Sequence, residues 1–130
     1  MENYPLNRVT PQSIEKLERN EIFVFGSNSE GKHTGGAARL ALNWGAIMGE
    51  GVGQQGQTYA IPTMFSTTRY IKEYVEEFIG YAIEHPEYTF LVTEIGCGIA
   101  GFSPKDIAPL FKNAVQVNNI HLPKRFWENF

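Results

Sequence analysis

The sequence predicts an α/β fold, a three-layer α/β/α sandwich around a mainly parallel, mixed central sheet. Three observations carry this prediction. Short and nearly continuous apolar runs are typical of strands buried on both faces, longer segments place apolar residues at helical spacing, and the two kinds of segment alternate along the chain. Such alternation favours parallel strands that are joined by helical crossovers, with helices on both faces of the sheet.

The first half of the chain alternates between predicted helices and strands. Thr10-Pro11 has the character of an N-cap followed by a first helical residue. Residues 45–57 contain five glycines, which predicts a loop. The predicted elements are a helix from Thr10 to near Asn20, a strand over residues 21–25, a helix over 37–44, a loop over 45–57 and a strand over 59–62.

The second half continues the alternation. The stretch TTRYIKEYVEEFIGYAIEHP, residues 67–86, carries one apolar stripe at helical spacing and charged residues on its other side. Ser103-Pro104 begins a further helix with the pattern of a loose capping box. The predicted elements are a helix within residues 67–86, a strand over 88–95, a helix from Ser103 to Val115 and a final strand over 119–122.

Length, composition and charge limit the classes of protein to be considered. A chain of 130 residues, of which 42% are hydrophobic, suits one domain over residues 1–130. The net charge of −3 and the lack of a Lys/Arg block argue against a nucleic-acid binder. The single cysteine permits neither an internal disulfide nor a cysteine-based zinc site. Residues 1–20 show no signal peptide and no apolar run approaches a membrane span, so we expect a soluble cytoplasmic protein that uses no metal or cofactor.

Two glycine-rich loops each follow a predicted strand and precede a predicted helix. They comprise residues 26–36 and 96–102. Ligands of open α/β sheets bind at the carboxyl ends of the strands, and free backbone N–H groups ahead of a helix suit a phosphate or diphosphate. Glycine also lets the backbone approach such a ligand closely. The alternative is that both loops are tight turns in a non-catalytic interaction domain.

Three side chains in or beside these loops are further candidates. Cys97 lies where a helix field would lower its pKa and activate it as a nucleophile, and the alternative is a small packed thiol. His33 would contact a ligand or transfer a proton, or else it is exposed to solvent. Glu94 ends a strand, where its carboxylate would orient a ligand or a loop amide, or reach water. A small hydrolase of another type, using Cys97 or Glu94, therefore stays open as an alternative function.

The order of these motifs resembles the macrodomain superfamily of ADP-ribose-binding modules, over about residues 20–122. The stretch IFVFGSNSEGKHTGGAARLAL is similar to the family's strand that ends in Asn-Ala-Asn and enters a helix through a glycine-rich loop. GQTYAIPT is similar to the middle strand that follows. FLVTEIGCGIAGFSPKDIAPLF is similar to the second strand, loop and helix, whose loop reads Gly-x-Gly-[Ile/Val]-x-Gly-[Tyr/Phe].

The resemblance implies a macrodomain-like protein whose small-molecule ligand is ADP-ribose or a related nucleotide-sugar diphosphate. Asn28 would contact the distal ribose and, together with His33, would support hydrolysis of an ADP-ribosyl derivative if the protein is an enzyme. The candidate ligand-binding residues are Gly26, Ser27, Asn28, Gly35 and Gly36 in the first loop, Gly96, Cys97, Gly98, Ile99, Ala100, Gly101 and Phe102 in the second, and Glu94 beside it.

Three stretches differ from the family pattern. Thr34-Gly35-Gly36 stands in place of a run of three or four glycines. Gly26-Ser27-Asn28 stands in place of Asn-Ala-Asn. Asn7-Arg8-Val9-Thr10 stands where the family has Gly-Asp-Ile-Thr, whose Asp recognises adenine. Because that acid is absent, a different nucleotide or sugar phosphate stays open as the ligand.

Overall fold

The computed structural model describes residues 4–130, and residues 1–3 of the predicted domain lie outside the described residues. Its centre is one sheet of six strands in the order β1-β6-β5-β2-β4-β3. The strands are β1 (Val9–Thr10), β2 (Glu21–Ser27), β3 (Gly53–Gln55), β4 (Thr58–Pro62), β5 (Thr89–Val92) and β6 (Ile120–Pro123).

All neighbouring strands are parallel except β3, which pairs antiparallel with β4. Since parallel strands point the same way, five carboxyl ends meet at one edge of the sheet. The segments that follow β1, β2, β4, β5 and β6 therefore converge there. This edge carries both glycine-rich loops.

Short helices and one long helix surround the sheet. The α-helices are α1 (Gly36–Ala41), α2 (Thr68–Glu84), α3 (Pro104–Ile107) and α4 (Lys124–Trp127), and the 3-10 helices are Leu6–Arg8, Leu42–Trp44 and Ala108–Ala114. Within residues 4–130, none of these helices is long and apolar enough to cross a lipid bilayer.

Strand β2 is buried on both faces, as its apolar run predicts. Ile22 and Val24 belong to a large apolar cluster that also contains side chains of α2 and of residues 107–114. Phe23 and Phe25 point the other way, as strand geometry requires, and pack in a smaller cluster with Ala38 of α1. Apolar side chains on both faces of a mostly parallel sheet confirm the α/β class.

A buried arginine ties the first residues to the last strand. Arg8 is 8% exposed, and its guanidinium donates to the carbonyl oxygens of Ala114, Val115, Val117 and Ile120 at 2.8–3.0 Å. Its own carbonyl accepts from Trp127 Nε1 at 2.9 Å. Burial lowers the pKa of Arg8. These bonds hold β1 against β6, although β1 has only two residues.

The predicted helix from Thr10 to Asn20 is wrong. A residue that precedes proline is restricted to extended backbone, so Thr10 joins β1 and pairs with Pro123. Residues 11–20 form neither a helix nor a strand. Ile14 and Leu17, the apolar pair that suggested a helix, pack against the smaller cluster instead.

Four other predictions are wrong in part. The predicted strand 88–95 ends at Val92, so Glu94 follows the strand, and the predicted helix 37–44 changes from α to 3-10 at Leu42. The predicted loop 45–57 contains β3, which forms a hairpin with β4 through a two-residue turn at Gly56, where φ is +57°. The predicted helix from Ser103 to Val115 changes from α to 3-10 at Ala108. Pro109 explains this change, because it lacks the N–H that an α-helix needs at that position.

Candidate functional site

A cleft of about 1000 Å³ opens at the carboxyl edge of the sheet. It is bordered by the ends of all five parallel strands, from Val9 and Thr10 of β1 to Thr63 and Met64 after β4. Apolar side chains, Val9, Ile14 and Phe23, contribute to its lining. Ten predicted ligand-binding residues line it: Gly26, Ser27, Asn28, Gly35, Gly36, Glu94, Gly96, Gly98, Ile99 and Ala100.

Four predicted site residues lie outside the lining of this cleft: His33, Cys97, Gly101 and Phe102. Phe102 is partly buried and packs against the large apolar cluster. Gly101 adopts φ +84° and accordingly serves the turn of its loop. Direct ligand contacts of these four residues stay a prediction.

The first loop begins with a side-chain turn. Asn28 Oδ1 accepts from the backbone N–H of Lys32 at 3.0 Å, and Asn28 Nδ2 donates to the Lys32 carbonyl at 3.3 Å. The backbone N–H of Gly31 donates to the Asn28 carbonyl at 3.0 Å. The Asn28 amide, predicted to contact a ribose, is thus engaged within its own loop. At the far end of the loop, Gly35 is the N-cap of α1.

Residues 45–52 pack closely behind the first loop. Ser27 Oγ donates to the Gly51 carbonyl at 2.6 Å, and the backbone N–H of Gly49 donates to the Gly31 carbonyl at 2.9 Å. A Cβ built on Gly31 would lie 2.3 Å from Glu50 N, and one built on Gly51 would lie 2.1 Å from Asn28 O. Glycine is needed at both positions because no side chain fits between the two segments.

His33 is enclosed by this packing. It is 1% exposed, its Nε2 lies 3.0 Å from the Glu50 carbonyl, and its ring meets that of Phe25 edge-on at 5.3 Å. The alternative that His33 is exposed to solvent is therefore wrong. Its Nδ1 is buried without a hydrogen-bond partner among the described residues.

The second loop is held by hydrogen bonds between its own backbone groups. The N–H of Phe102 donates to the Gly96 carbonyl at 2.9 Å, and Gly96 adopts φ +75°. Gly98 has no positive φ, and a Cβ placed on it would meet nothing within 4 Å. Gly98 therefore does not serve a left-handed turn, and close approach of a ligand stays the prediction for glycine at this position.

The capping box predicted at the end of the second loop is confirmed. Ser103 Oγ accepts from the backbone N–H of Asp106 at 3.3 Å, and Asp106 Oδ2 accepts from the backbone N–H of Ser103 at 3.0 Å. These hydrogen bonds hold the pKa of the Asp106 carboxyl below its usual range. The box joins the loop firmly to α3.

The cleft is more positive than the whole chain. Its lining contains three cationic side chains, Lys32, Lys124 and Arg125, and one carboxylate, that of Glu94. The chain as a whole carries a net charge of −3. A cleft lined by a local excess of positive charge attracts anionic ligands.

Glu94 and Arg125 face each other in a bidentate ion pair. Arg125 Nε donates to Glu94 Oε2 and Arg125 Nη2 donates to Glu94 Oε1, each at 2.6 Å. The Glu94 side chain is 36% exposed and that of Arg125 is 58% exposed. Arg125 holds the pKa of the Glu94 carboxyl below its usual range. Glu94 is therefore a carboxylate near neutral pH, and it lacks the raised pKa that suits a general acid.

Cys97 has the opposite electrostatic character to that of an activated nucleophile. Burial, followed by the nearby Glu94 carboxylate, raises the pKa of its thiol to about 11. The expected lowering of this pKa by a helix field is therefore wrong. The thiol is half-buried, donates to the Ile95 carbonyl at 3.5 Å and packs against the large apolar cluster, as the alternative of a packed thiol predicts.

Thr10 places an unpaired hydroxyl at the cleft. It lines the cleft, is 5% exposed, and its Oγ1 has no hydrogen-bond partner among the described residues. Burying an unpaired hydroxyl costs about 1–3 kcal/mol in proteins. Thr10 occupies the end of the stretch that stands in place of Gly-Asp-Ile-Thr, whereas Arg8 of that stretch donates only to backbone carbonyls.

Sequence reasoning missed the cations and hydroxyl groups of the site. Arg125 and Lys124 follow β6, where the sequence has no glycine-rich loop to mark a ligand site. Thr63 and Thr93 follow β4 and β5, and their hydroxyls donate to carbonyls of β2. The available signal was position, because every segment that follows a parallel strand reaches the same edge.

Neither a metal site nor a comparison with known proteins assigns a function to the cleft. Among residues 4–130, no group of three or more His, Cys, Asp or Glu side chains is arranged to hold a metal ion. A scan against protein-family models, a search of curated proteins and a search of solved structures each found no match to this chain.

Proposed function

We propose that this protein binds ADP-ribose or a related nucleotide-sugar diphosphate in the cleft at the carboxyl edge of the sheet. One observation carries the proposal. The cleft lies between two glycine-rich loops, and its charged side chains are three cations against one carboxylate in a chain of net charge −3. Local positive charge and exposed loop backbone together suit the two negative charges of a diphosphate.

The size and the lining of the cleft support a ligand larger than a phosphate. Its volume of about 1000 Å³ is at the upper end of the range for small-molecule sites. Val9, Ile14 and Phe23 supply apolar surface to the lining, which suits the face of a nucleobase. The glycine-rich loops line the same cleft, where the diphosphate and the sugar would lie.

The proposal includes a macrodomain-like, three-layer arrangement. It is supported by the two apolar clusters on opposite faces of β2, one with α2 and one with α1. It is also supported by the second loop, in which Gly96 and Gly101 both adopt positive φ. The motif of that loop is the more specific part of the resemblance.

The proposal is confined to binding. Hydrolysis of an ADP-ribosyl derivative stays a prediction, because the Asn28 amide is bonded to Lys32 and His33 does not line the cleft. The alternative hydrolase that uses Cys97 is disfavoured by the raised pKa of its thiol. The alternative of a non-catalytic interaction domain, in which the loops are only turns, is decided by the test of binding.

Calorimetry and thermal unfolding with ADP-ribose, ADP, NAD and nucleotide sugars test the proposal. A ligand at 100 times its dissociation constant stabilises the folded protein by about 2.7 kcal/mol, so the binding ligand should raise the melting temperature by several degrees. Adenosine and ribose are the controls, since they lack the diphosphate. If millimolar concentrations of every diphosphate leave the melting temperature unchanged, the loops are only turns and the proposal fails.

A further inference from the structure

Only two N–H groups of the Arg125 guanidinium donate to a described side chain. An arginine side chain has five N–H donors in a planar fork. Arg125 gives its Nε–H and one Nη2–H to the carboxylate of Glu94, at 2.6 Å each. Among the described residues, its side chain donates no other hydrogen bond. The edge formed by Nη1 and the second Nη2–H is therefore available for a second bidentate partner.

The side chain of Arg125 belongs to the cleft and is accessible. Arg125 lines the cleft together with Glu94 and Lys124, and its side chain is 58% exposed. The ion pair fixes the guanidinium plane, so little further order is lost when a second partner binds. The carboxylate of Glu94 balances one charge, and the corner still carries the charge of Lys124.

Arg8 shows what a purely structural arginine looks like in the same protein. Its Nε, Nη1 and Nη2 all donate to backbone carbonyls, and it is 8% exposed. Arg125 differs on both counts, since it donates to one carboxylate and stays accessible at the cleft.

We propose that Arg125 binds a phosphate group of the ligand through the Nη1–Nη2 edge of its guanidinium, while Glu94 occupies the adjacent Nε–Nη2 edge. The inference rests on the proposed function for the identity of the cleft as the ligand site. It adds a residue outside both glycine-rich loops to that site. The planar fork of arginine matches two oxygens of a phosphate, whereas a neutral sugar or base offers no such pair of charged oxygens.

The test compares binding of inorganic pyrophosphate, ADP-ribose and adenosine to the wild type, Arg125→Gln and the double variant Glu94→Gln/Arg125→Gln. Arg125→Gln should weaken pyrophosphate and ADP-ribose about ten-fold, at the low end for a charged hydrogen-bonded pair because the site is half exposed. The double variant removes one positive and one negative charge, so the net charge of the cleft is unchanged. The same ten-fold loss in the double variant supports direct contact. Recovery of wild-type affinity would mean that charge alone acts, which overturns the proposal.

Arg69→Gln is the matched control, because Arg69 is exposed on α2 and does not line the cleft. It should bind all three probes as the wild type does. If Arg125→Gln behaves like Arg69→Gln while the wild type binds ADP-ribose, the proposal fails and the proposed function stands. Pyrophosphate binding that depends on Arg125, without binding of ADP-ribose, NAD or any nucleotide sugar, would support the proposal and contradict the proposed function. If Arg125→Gln loses as much affinity for adenosine as for ADP-ribose, Arg125 maintains the shape of the cleft instead of binding a phosphate, and the proposal about Arg125 fails.

Discussion

The two glycine-rich loops resemble each other in composition but are held in different ways. The first loop is fixed by contacts with other segments, since a Cβ on Gly31 would lie 2.3 Å from Glu50 N and Ser27 Oγ donates to Gly51 O. The second loop is fixed by its own backbone and by the capping box of Ser103, and Ile99 near its tip is 85% exposed.

Glycine accordingly serves three purposes along the two loops. In the first loop, Gly31 makes room for a neighbouring chain segment, whereas Gly35 and Gly36 face open space at the cleft. In the second loop, Gly98 faces open space too, and Gly96 and Gly101 supply positive φ. Packing glycines should matter for the fold, and glycines that face the cleft should matter for the ligand.

The largest effect on stability is expected for Gly31→Ala. The added Cβ clashes with backbone atoms of residues 49 and 50, and the φ of +71° is strained for alanine. Overpacking and left-handed backbone together should lower the free energy of unfolding by roughly 2–4 kcal/mol, as measured by urea denaturation. Gly98→Ala is the control and should change it by no more than about 0.5 kcal/mol. Equal losses in the two variants would contradict the distinction between the loops.

Gly98→Val should separate ligand binding from folding. Its side chain would enter the cleft where a Cβ meets no protein atom within 4 Å, so the free energy of unfolding should change by about 0.5 kcal/mol or less. The affinity for ADP-ribose should fall at least about ten-fold, or 1.4 kcal/mol, because the valine occupies the space of the ligand. Calorimetry and urea denaturation of the same preparation check both parts. Unchanged affinity would show that the ligand does not approach Gly98.

The sequence predicted those elements whose pattern is local. The apolar run of β2 and the apolar stripe of α2 each indicate their structure without knowledge of the partners. Strand β1 was missed because two residues have no periodicity. Pairing with β6 and the bonds of Arg8 to distant carbonyls maintain it, and neither is visible in the local sequence.

The sequence predicted the glycine-rich part of the candidate site. Both loops were found because glycine is informative about backbone, and most of their residues line the cleft. The pairing of Glu94 with Arg125 spans 31 residues and follows only from the order of the strands. The pKa of Cys97 was predicted in the wrong direction because its burial and the Glu94 charge depend on tertiary structure.

Ser103→Ala should loosen the second loop and leave the first unchanged. The substitution removes the side-chain half of the capping box, which costs typically about 1 kcal/mol. Hydrogen exchange should rise for the amides of residues 103–107. Ser29→Ala is the control in the first loop, because Ser29 is exposed. A faster exchange in the first loop of Ser103→Ala would mean that the loops are coupled.

Asn28→Ala should lower the free energy of unfolding less than Ser103→Ala, and it also tests whether Asn28 contacts the ligand. It removes two partly exposed hydrogen bonds with Lys32, so we expect a loss of roughly 0.5–1 kcal/mol. If the amide also contacts the ribose, the affinity should fall about two- to twelve-fold. Asn28→Asp is a control for stability alone, since its carboxylate still accepts from the Lys32 N–H, whereas its negative charge in the cleft would itself repel a diphosphate. If the protein is a hydrolase, the rate in Asn28→Ala should fall further, by about a hundred-fold, and equal losses of rate and affinity would mean that Asn28 only binds.

The smallest effect is expected from acid, and it should again distinguish the loops. The pKa of Asp106 is lowered by hydrogen bonds from the backbone and side chain of Ser103, and that of Glu94 by Arg125. A carboxyl whose pKa is lower in the folded than in the unfolded protein stabilises the fold above its unfolded pKa, and the contribution is lost as the pH falls through the folded value.

The pH range of this loss follows from the usual pKa values of the two carboxyl groups, 3.8 for Asp106 and 4.5 for Glu94. As the pH falls below about 4.5 and then below about 4, the second loop should loosen, while the amide turn of Asn28 in the first loop has no such proton to gain. Lys32 Nζ lies 3.0 Å from the Glu30 carboxylate, so the comparison is made in Glu30→Gln, which removes that carboxylate. Amide chemical shifts of Ser103 and Lys32 in this variant, followed from pH 6 to pH 3, report the two loops separately. Adding Asp106→Asn should flatten the response at Ser103 because the amide does not titrate. If Lys32 and Ser103 respond together in Glu30→Gln, acid acts on the whole fold and the comparison of the loops fails at this point.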